Sequence, residues 1–176
     1  MIRWAGLDAG VQLSRTARRS MDYESAYPTI GQLAQQPNAA QAIVNYLHDH
    51  FASYSWVGLY WVEGSDLVLG EWKGPEATEH TRIAIGTGVC GAAAASGRTE
   101  IVGDVSRDSR YLACFSSTKS EIVVPIFADG SVIGEIDIDA SALNAFGAED
   151  QRFLERVAAV LAGVRTSTST ARAARR

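Results

Sequence analysis

Two cysteines stand in polar frames in this sequence, and their surroundings define the chemistry open to it. Cys90 lies in IGTGVCGAAAA, a glycine-rich turn running into a helical pattern, and Cys114 lies in SRYLACFSSTKSEIVVP, just ahead of an apolar strand pattern. A structural cysteine sits among apolar neighbours and behaves as a small hydrophobe. These two sit beside glycines, hydroxyls and charges, where a thiolate can form and be reached. Cys90 falls in the first turn of its expected helix, where the helix dipole favours a thiolate. Carboxylates follow at Glu121, Asp137 and Asp139. A thiol pair with nearby acids points to redox chemistry at sulfur.

Asp137 and Asp139 alternate with Ile136 and Ile138, so in a strand the two acids share one face and the two isoleucines the other. Glu121 opens the neighbouring strand pattern. The isoleucines suit a covered core. The acids suit a ligand-facing side shared with Cys114, or else stand as exposed charges on a half-wet sheet. Three clustered acids repel one another and need a cationic ligand, a proton or both. Trp56 and Tyr60 are four apart in WVGLYW and share a face, with Trp61 on the other; core packing is the competing role for each. No metal set is expected from the Cys and His spacing. His48 and His50 are two apart on a helix and do not face one another, and His80 stands alone in its loop. Gly86-Thr87-Gly88 lacks the Lys-Ser/Thr of a phosphate loop and the full dinucleotide fingerprint, so it reads as a tight strand-to-helix turn.

These residues need elements to position them. Residues 37–51 carry Ala42, Ile43, Tyr46, Leu47 and Phe51 on one side at helical spacing. A hairpin follows, with strands over Trp56–Trp61 and Leu67–Trp72 about a Gly-Ser-Asp turn. A short strand over 82–85 leads through the glycine turn to a small helix over 89–95, and another short strand covers 100–102. The polar segment 104–120 is long enough to be a functional loop. Strands over 121–127 and 132–139 flank Asp129-Gly130, a strong hairpin signal. Pro125 marks the first of these as an edge or bulged strand, or one with a gap in its pairing. Phe153, Leu154, Val157, Val160, Leu161 and Val164 give the closing helix, 148–164, an apolar stripe. The order predicts an α+β domain with a mainly antiparallel sheet. Its two terminal helices cover one face, its central loops the other, and a ligand sits between sheet and loops.

At 176 residues, 47% hydrophobic and 20% charged, the chain has the length and balance of one soluble domain. It shows neither a run of ~18 apolar residues nor the apolar core of a leader, so a cytoplasmic protein is expected. There a Cys pair is expected to be catalytic or redox-sensing rather than a permanent disulfide. The net charge of −4 conceals basic ends, at +3 over residues 1–20 and +4 over 165–176, around a body of −11. An acidic body argues against nucleic acid as a partner. The expected organisation is an extension over 1–20, with Met21 a candidate start, a domain over 21–164 and a basic flexible tail over 165–176.

In order and spacing from about Tyr54 to Asp139, the motifs GVCG (88–91), Asp104-Val105, YLAC (111–114), SEIVVP (120–125) and GEIDID (134–139) resemble the free methionine-(R)-sulfoxide reductases, single GAF-domain enzymes. The resemblance implies a GAF fold and assigns roles. Cys114 matches the catalytic cysteine and Cys90 a recycling cysteine. Glu121, Asp137 and Asp139 match the acidic cluster that holds the substrate, and Asp104 a pocket acid. Trp56 and Tyr60 match the aromatics around the substrate methyl group. One departure is that the family commonly carries a third cysteine ten residues before that of GVCG, where this chain has His80, as expected of a divergent branch. Only Cys90 is then left to resolve Cys114 within the chain.

The implied reaction is attack of Cys114 on the sulfoxide sulfur, with Glu121 or Asp137 as proton donor, then a disulfide with Cys90 that thioredoxin or a similar reductant resets. No cofactor is expected, electrons coming from a thioredoxin/NADPH system. A homodimer is expected by analogy with other GAF domains. The competing classes are a GAF module that binds a small molecule without transforming it, and a thiol switch that responds to oxidant alone.

Overall fold

The computed structural model describes residues 15–173. Its elements are α1 (Arg15–Leu33), α2 (Ala39–His50), β1 (Trp56–Glu63), β2 (Asp66–Lys73), β3 (Arg82–Ala84), α3 (Gly88–Ser96), β4 (Glu100–Val102), β5 (Ser120–Ala128), β6 (Ser131–Ala140) and α4 (Ala148–Ala173), with a 3-10 turn over Val105–Arg107. The six strands form one antiparallel sheet in the order β3-β2-β1-β6-β5-β4.

Strand alternation divides the core in two. Val57, Leu59 and Trp61 of β1, Ile136 and Ile138 of β6, and Ile122, Val124 and Ile126 of β5 pack beneath α1, α2 and α4. Trp56 and Tyr60 of β1 and Val123 of β5 face the other way and pack with Cys90, Ala93 and Ala94 of α3. Each fully buried aliphatic side chain on the helical face is worth roughly 1.5–3 kcal/mol, so that face supplies most of the apolar stabilisation. The expected arrangement, with terminal helices on one face and α3 and the loops on the other, is the one observed.

The sequence reading gave no helix ahead of residue 37, yet α1 is helical through Pro28. Tyr23, Ala26 and Ile30 are buried against the core at helical spacing. Tertiary packing therefore overrides the helix-breaking tendency of an interior proline. The division of the chain at residue 20 falls inside this helix. The expected extension over 1–14 lies outside the described residues, as do 174–176. The basic segment after 164 continues α4 to Ala173. Pro125 sits where one side of β5 has no partner, because β4 pairs only as far as Val123. Asp129 and Gly130 both adopt positive φ, as the two-residue hairpin requires. Among the described residues no helix is long and apolar enough to cross a membrane.

Asp150, in the first turn of α4, joins three parts of the chain. It accepts hydrogen bonds from the hydroxyl of Tyr23 on α1, from the hydroxyl of Tyr54 at 3.1 Å, and from the Gly147 amide at 2.9 Å. Tyr23 also stacks between Phe51 and Phe153, so the same residue is fixed at ring and hydroxyl. Asp150→Ala strands two buried phenols and is expected to destabilise the fold by about 2–4 kcal/mol in urea titration. A loss below about 0.5 kcal/mol, the size of a neutral surface change, would refute this tie.

Candidate active site

The face opposite the large core is built in register. Across β1 and β6, Trp56 pairs with Asp139, Gly58 with Asp137, and Tyr60 with Glu135. Across β5 and β6, Glu121 pairs with Asp139, Val123 with Asp137, and Pro125 with Glu135. The alternation expected from GEIDID therefore holds, and it includes a fourth acid. Glu135 was missing from the sequence reading, although the same period-two pattern places it in line with Asp137 and Asp139. Gly58 has no side chain because the Trp56 ring lies across it, where a Cβ would come within 2.2 Å of the indole. Trp56 stacks on Trp72 at 6.1 Å and meets Phe115 of the 104–120 segment at 5.7 Å.

All four acids are buried: Glu121 is 4% exposed, Glu135 0%, Asp137 1% and Asp139 2%. No cation pairs with any of them among the described residues. Glu121 Oε2, Asp137 Oδ1 and both carboxylate oxygens of Glu135 and of Asp139 have no hydrogen-bond partner. The alternative of exposed charges on a half-wet sheet is therefore excluded. Burial, then mutual repulsion, holds Glu135 and Asp137 well above the ordinary carboxylate range. The same causes push Glu121 up to about 8. Burial raises Asp139 to about 7, opposed by the Thr118 hydroxyl nearby.

Both cysteines are free thiols at this cluster. Cys90 is in the first turn of α3, as expected, with Sγ 3.8 Å from Glu121 Oε1. The expectation that the helix dipole makes it a thiolate is not met. Burial first, then the charges of Asp137, Glu135 and Glu121, raise the thiol well above its ordinary pKa. A helix terminus contributes at most a couple of kcal/mol, and complete burial beside carboxylates outweighs it. Cys114 is half-buried and donates to the Leu112 carbonyl at 3.5 Å. Burial and the charges of Asp137 and Asp139 raise it as well, and the Thr78 hydroxyl works against that rise.

The 74–81 loop closes over the face and is anchored twice from below. Trp56 Nε1 donates to the Glu76 carbonyl at 3.3 Å, and the Tyr60 hydroxyl donates to the His80 carbonyl at 2.8 Å. His80 in turn donates its amide to Thr78 Oγ1 at 3.1 Å, which orders the loop beside Cys114. Thr78 was another residue that the sequence reading missed, since its role depends on a contact between distant segments. Tyr60 is fully buried, with its hydroxyl committed to that carbonyl. Asp104 lies at the start of the 3-10 turn. Its Oδ1 accepts from the Ser106 amide at 3.1 Å and the Ser106 hydroxyl at 2.6 Å, capping the 3-10 turn. An open groove of about 580 Å³ between β5 and α4 contains none of the thiols or acids, so the chemistry belongs to the closed cluster.

The sheet order, the helices on one face and a polar cluster under loops on the other define an α+β module with its acids and thiols gathered on one face. The chain belongs to the GAF domain family, whose model matches residues 37–164. Within that family it is similar to a free methionine-R-sulfoxide reductase of Saccharomyces cerevisiae, at 38% identity over 128 residues, covering 70% of each chain. It is similar also to the GAF domain-containing protein A of Dictyostelium discoideum, at 38% identity over 144 residues, 79% of this chain and 89% of that one. Among solved structures, the free methionine-R-sulfoxide reductase of Neisseria meningitidis in complex with its substrate superposes with a TM-score of 0.81. That pair is 35% identical over 90% of this chain and 96% of the other.

The acids set the pH dependence of the fold. Each holds its proton more tightly when folded than when unfolded, so the folded state binds more protons above the ordinary values of 3.8 for Asp and 4.5 for Glu. Stability contributed here is present below those values and is lost as pH climbs through about 7 and 8. The melting temperature of the ligand-free protein is expected to fall between pH 5 and pH 8. Asp137→Asn should flatten that slope and raise the melting temperature at pH 8. A wild-type slope of the opposite sign would contradict the buried-acid assignment.

Proposed function

We propose that this protein reduces free methionine-R-sulfoxide to methionine at Cys114. The observation that carries the reading is the set of four buried acids with no cation among them, set beside two thiols beneath an indole. An α-ammonium group supplies the positive charge that the cluster lacks. Asp139 and its neighbours then select a free amino acid, because a peptide-bound methionine carries no such charge. Trp56 offers an apolar surface for the small methyl end. The reductases named above, one of them solved with its substrate, support the same activity.

The charge of the substrate also bears on the nucleophile. In the resting site both thiols are held protonated by burial and carboxylate charge. An ammonium beside Asp137 and Asp139 offsets those charges and brings the Cys114 thiolate within reach. Cys114 sulfur then attacks the sulfoxide sulfur. Glu121 or Asp137 protonates the sulfoxide oxygen, the bond between oxygen and the methionine sulfur breaks as oxygen passes to Cys114 sulfur, and methionine leaves with Cys114 as sulfenic acid; the proton given up by the Cys114 thiol restores the acid. Cys90 attacks that sulfenic acid, a disulfide forms and water leaves. A dithiol such as thioredoxin reduces the disulfide and restores both thiols.

A module that only binds an amino acid is the second reading, favoured by the strong protonation of both thiols in the resting state. Thioredoxin-coupled NADPH oxidation separates the two. Turnover is expected on free methionine-R-sulfoxide, and none on the S form or on a peptide-bound sulfoxide. Cys114→Ser is expected to lower turnover by at least 1,000-fold, roughly the loss of a catalytic nucleophile. Cys90→Ser should release one methionine per protein and then stall with thioredoxin as reductant. Full turnover by Cys114→Ser, or no turnover by the wild type with either thioredoxin or dithiothreitol, would overturn the reductase reading.

A further inference from the structure

Three buried groups of the cluster lie in a geometry that amino-acid binding does not require. Cys90 Sγ, a Glu121 carboxylate oxygen and an Asp137 carboxylate oxygen all fall within 4.8 Å of one another. They come from α3, β5 and β6, which is why cysteine and histidine spacing gave no sign of them. Zinc bonds of about 2.3 Å to sulfur and about 2.1 Å to oxygen put the sulfur–oxygen edge of a tetrahedron at about 3.6 Å. The distance from Cys90 Sγ to Glu121 Oε1 is 3.8 Å, close to that edge.

A second observation points to a ligand at this place. Glu121 Oε2 and Asp137 Oδ1 are buried with no partner, and Glu135, which is 0% exposed, has neither of its oxygens partnered. Buried polar oxygens are ordinarily satisfied, and orphaned ones mark a ligand, an ion or a strained site. Glu135 is two residues from Asp137 on the same strand face, beside this set.

We propose that Cys90, Glu121 and Asp137, with water in the fourth position, bind a thiophilic divalent cation of the zinc class. The mixed sulfur and oxygen set favours Zn²⁺ over Mg²⁺ or Ca²⁺, which take oxygen ligands alone. Coordination releases the Cys90 proton to solvent and holds the sulfur as thiolate on the metal. Binding itself does not depend on the reductase reading. One consequence does rest on that reading: a bound cation occupies the place of the substrate ammonium and withdraws the resolving thiol, so metal and methionine sulfoxide exclude one another.

Titration with Co²⁺ tests this on the full, tag-free chain kept reduced by a phosphine. A thiolate-to-cobalt charge-transfer band is expected in the near ultraviolet, saturating at one equivalent and bleached by Zn²⁺. Cys114→Ser should retain the band and Cys90→Ser should lose it. Glu121→Gln, checked for folding by its thermal melt, should weaken Co²⁺ binding at least ten-fold. No band in the wild type, or one that survives Cys90→Ser, would overturn the proposal. Its failure is distinguishable from that of the reductase reading. Sulfoxide turnover without a band removes the metal site alone, and a Cys90-dependent band without turnover removes the reductase reading alone.

Discussion

Four carboxyl groups without a cation, buried on one side of a sheet, are the constraint around which this molecule is organised. Desolvating one carboxylate costs several kcal/mol, and placing others beside it adds repulsion to that cost. The ligand-free protein meets this by raising their hold on protons, so that only part of the cluster is charged near neutral pH. Everything near the cluster feels the consequence. The thiols are held protonated, the helix terminus under Cys90 loses its usual influence, and a positively charged group becomes the natural complement of the site.

The sheet makes such a cluster tolerable by separating function from stability at single-residue intervals. Ile136 and Ile138 face the large core, while Glu135, Asp137 and Asp139 between them face the site. The apolar stabilisation of β6 and the electrostatic cost it carries thus come from alternate residues of one strand. Register cannot slip, because a shift of one residue would place three acids in the hydrocarbon core and two isoleucines against the thiols. The same alternation on β1 sends Trp61 to the core, where Arg165 lies over its ring at 4.6 Å, and Trp56 to the site.

Much of this was legible in the sequence because it depends on local periodicity. The strand pattern of GEIDID, the hairpin at Asp129-Gly130, the glycine turn ahead of Cys90 and the shared face of Trp56 and Tyr60 are all short-range. What escaped notice has non-local causes. Helix α1 is stabilised by Tyr23, Ala26 and Ile30 meeting the core, which its own sequence around Pro28 does not reveal. Thr78 acts on Cys114 across the fold. The capping of the 3-10 turn by Asp104 Oδ1 depends on the path of the loop after β4, which the motif alone does not show. The protonation of the thiols was misjudged because a helix dipole can be read from sequence and complete burial cannot. Glu135 alone was readable and overlooked.

The anchoring of the 74–81 loop has an evolutionary consequence. Trp56 and Tyr60 hold it through the main-chain carbonyls of Glu76 and His80, never through their side chains. Such anchors are indifferent to which residue supplies the carbonyl. Position 80 is therefore free to drift in chemical identity while the loop keeps its path. A lineage can exchange the side chain at that position without first rebuilding the fold.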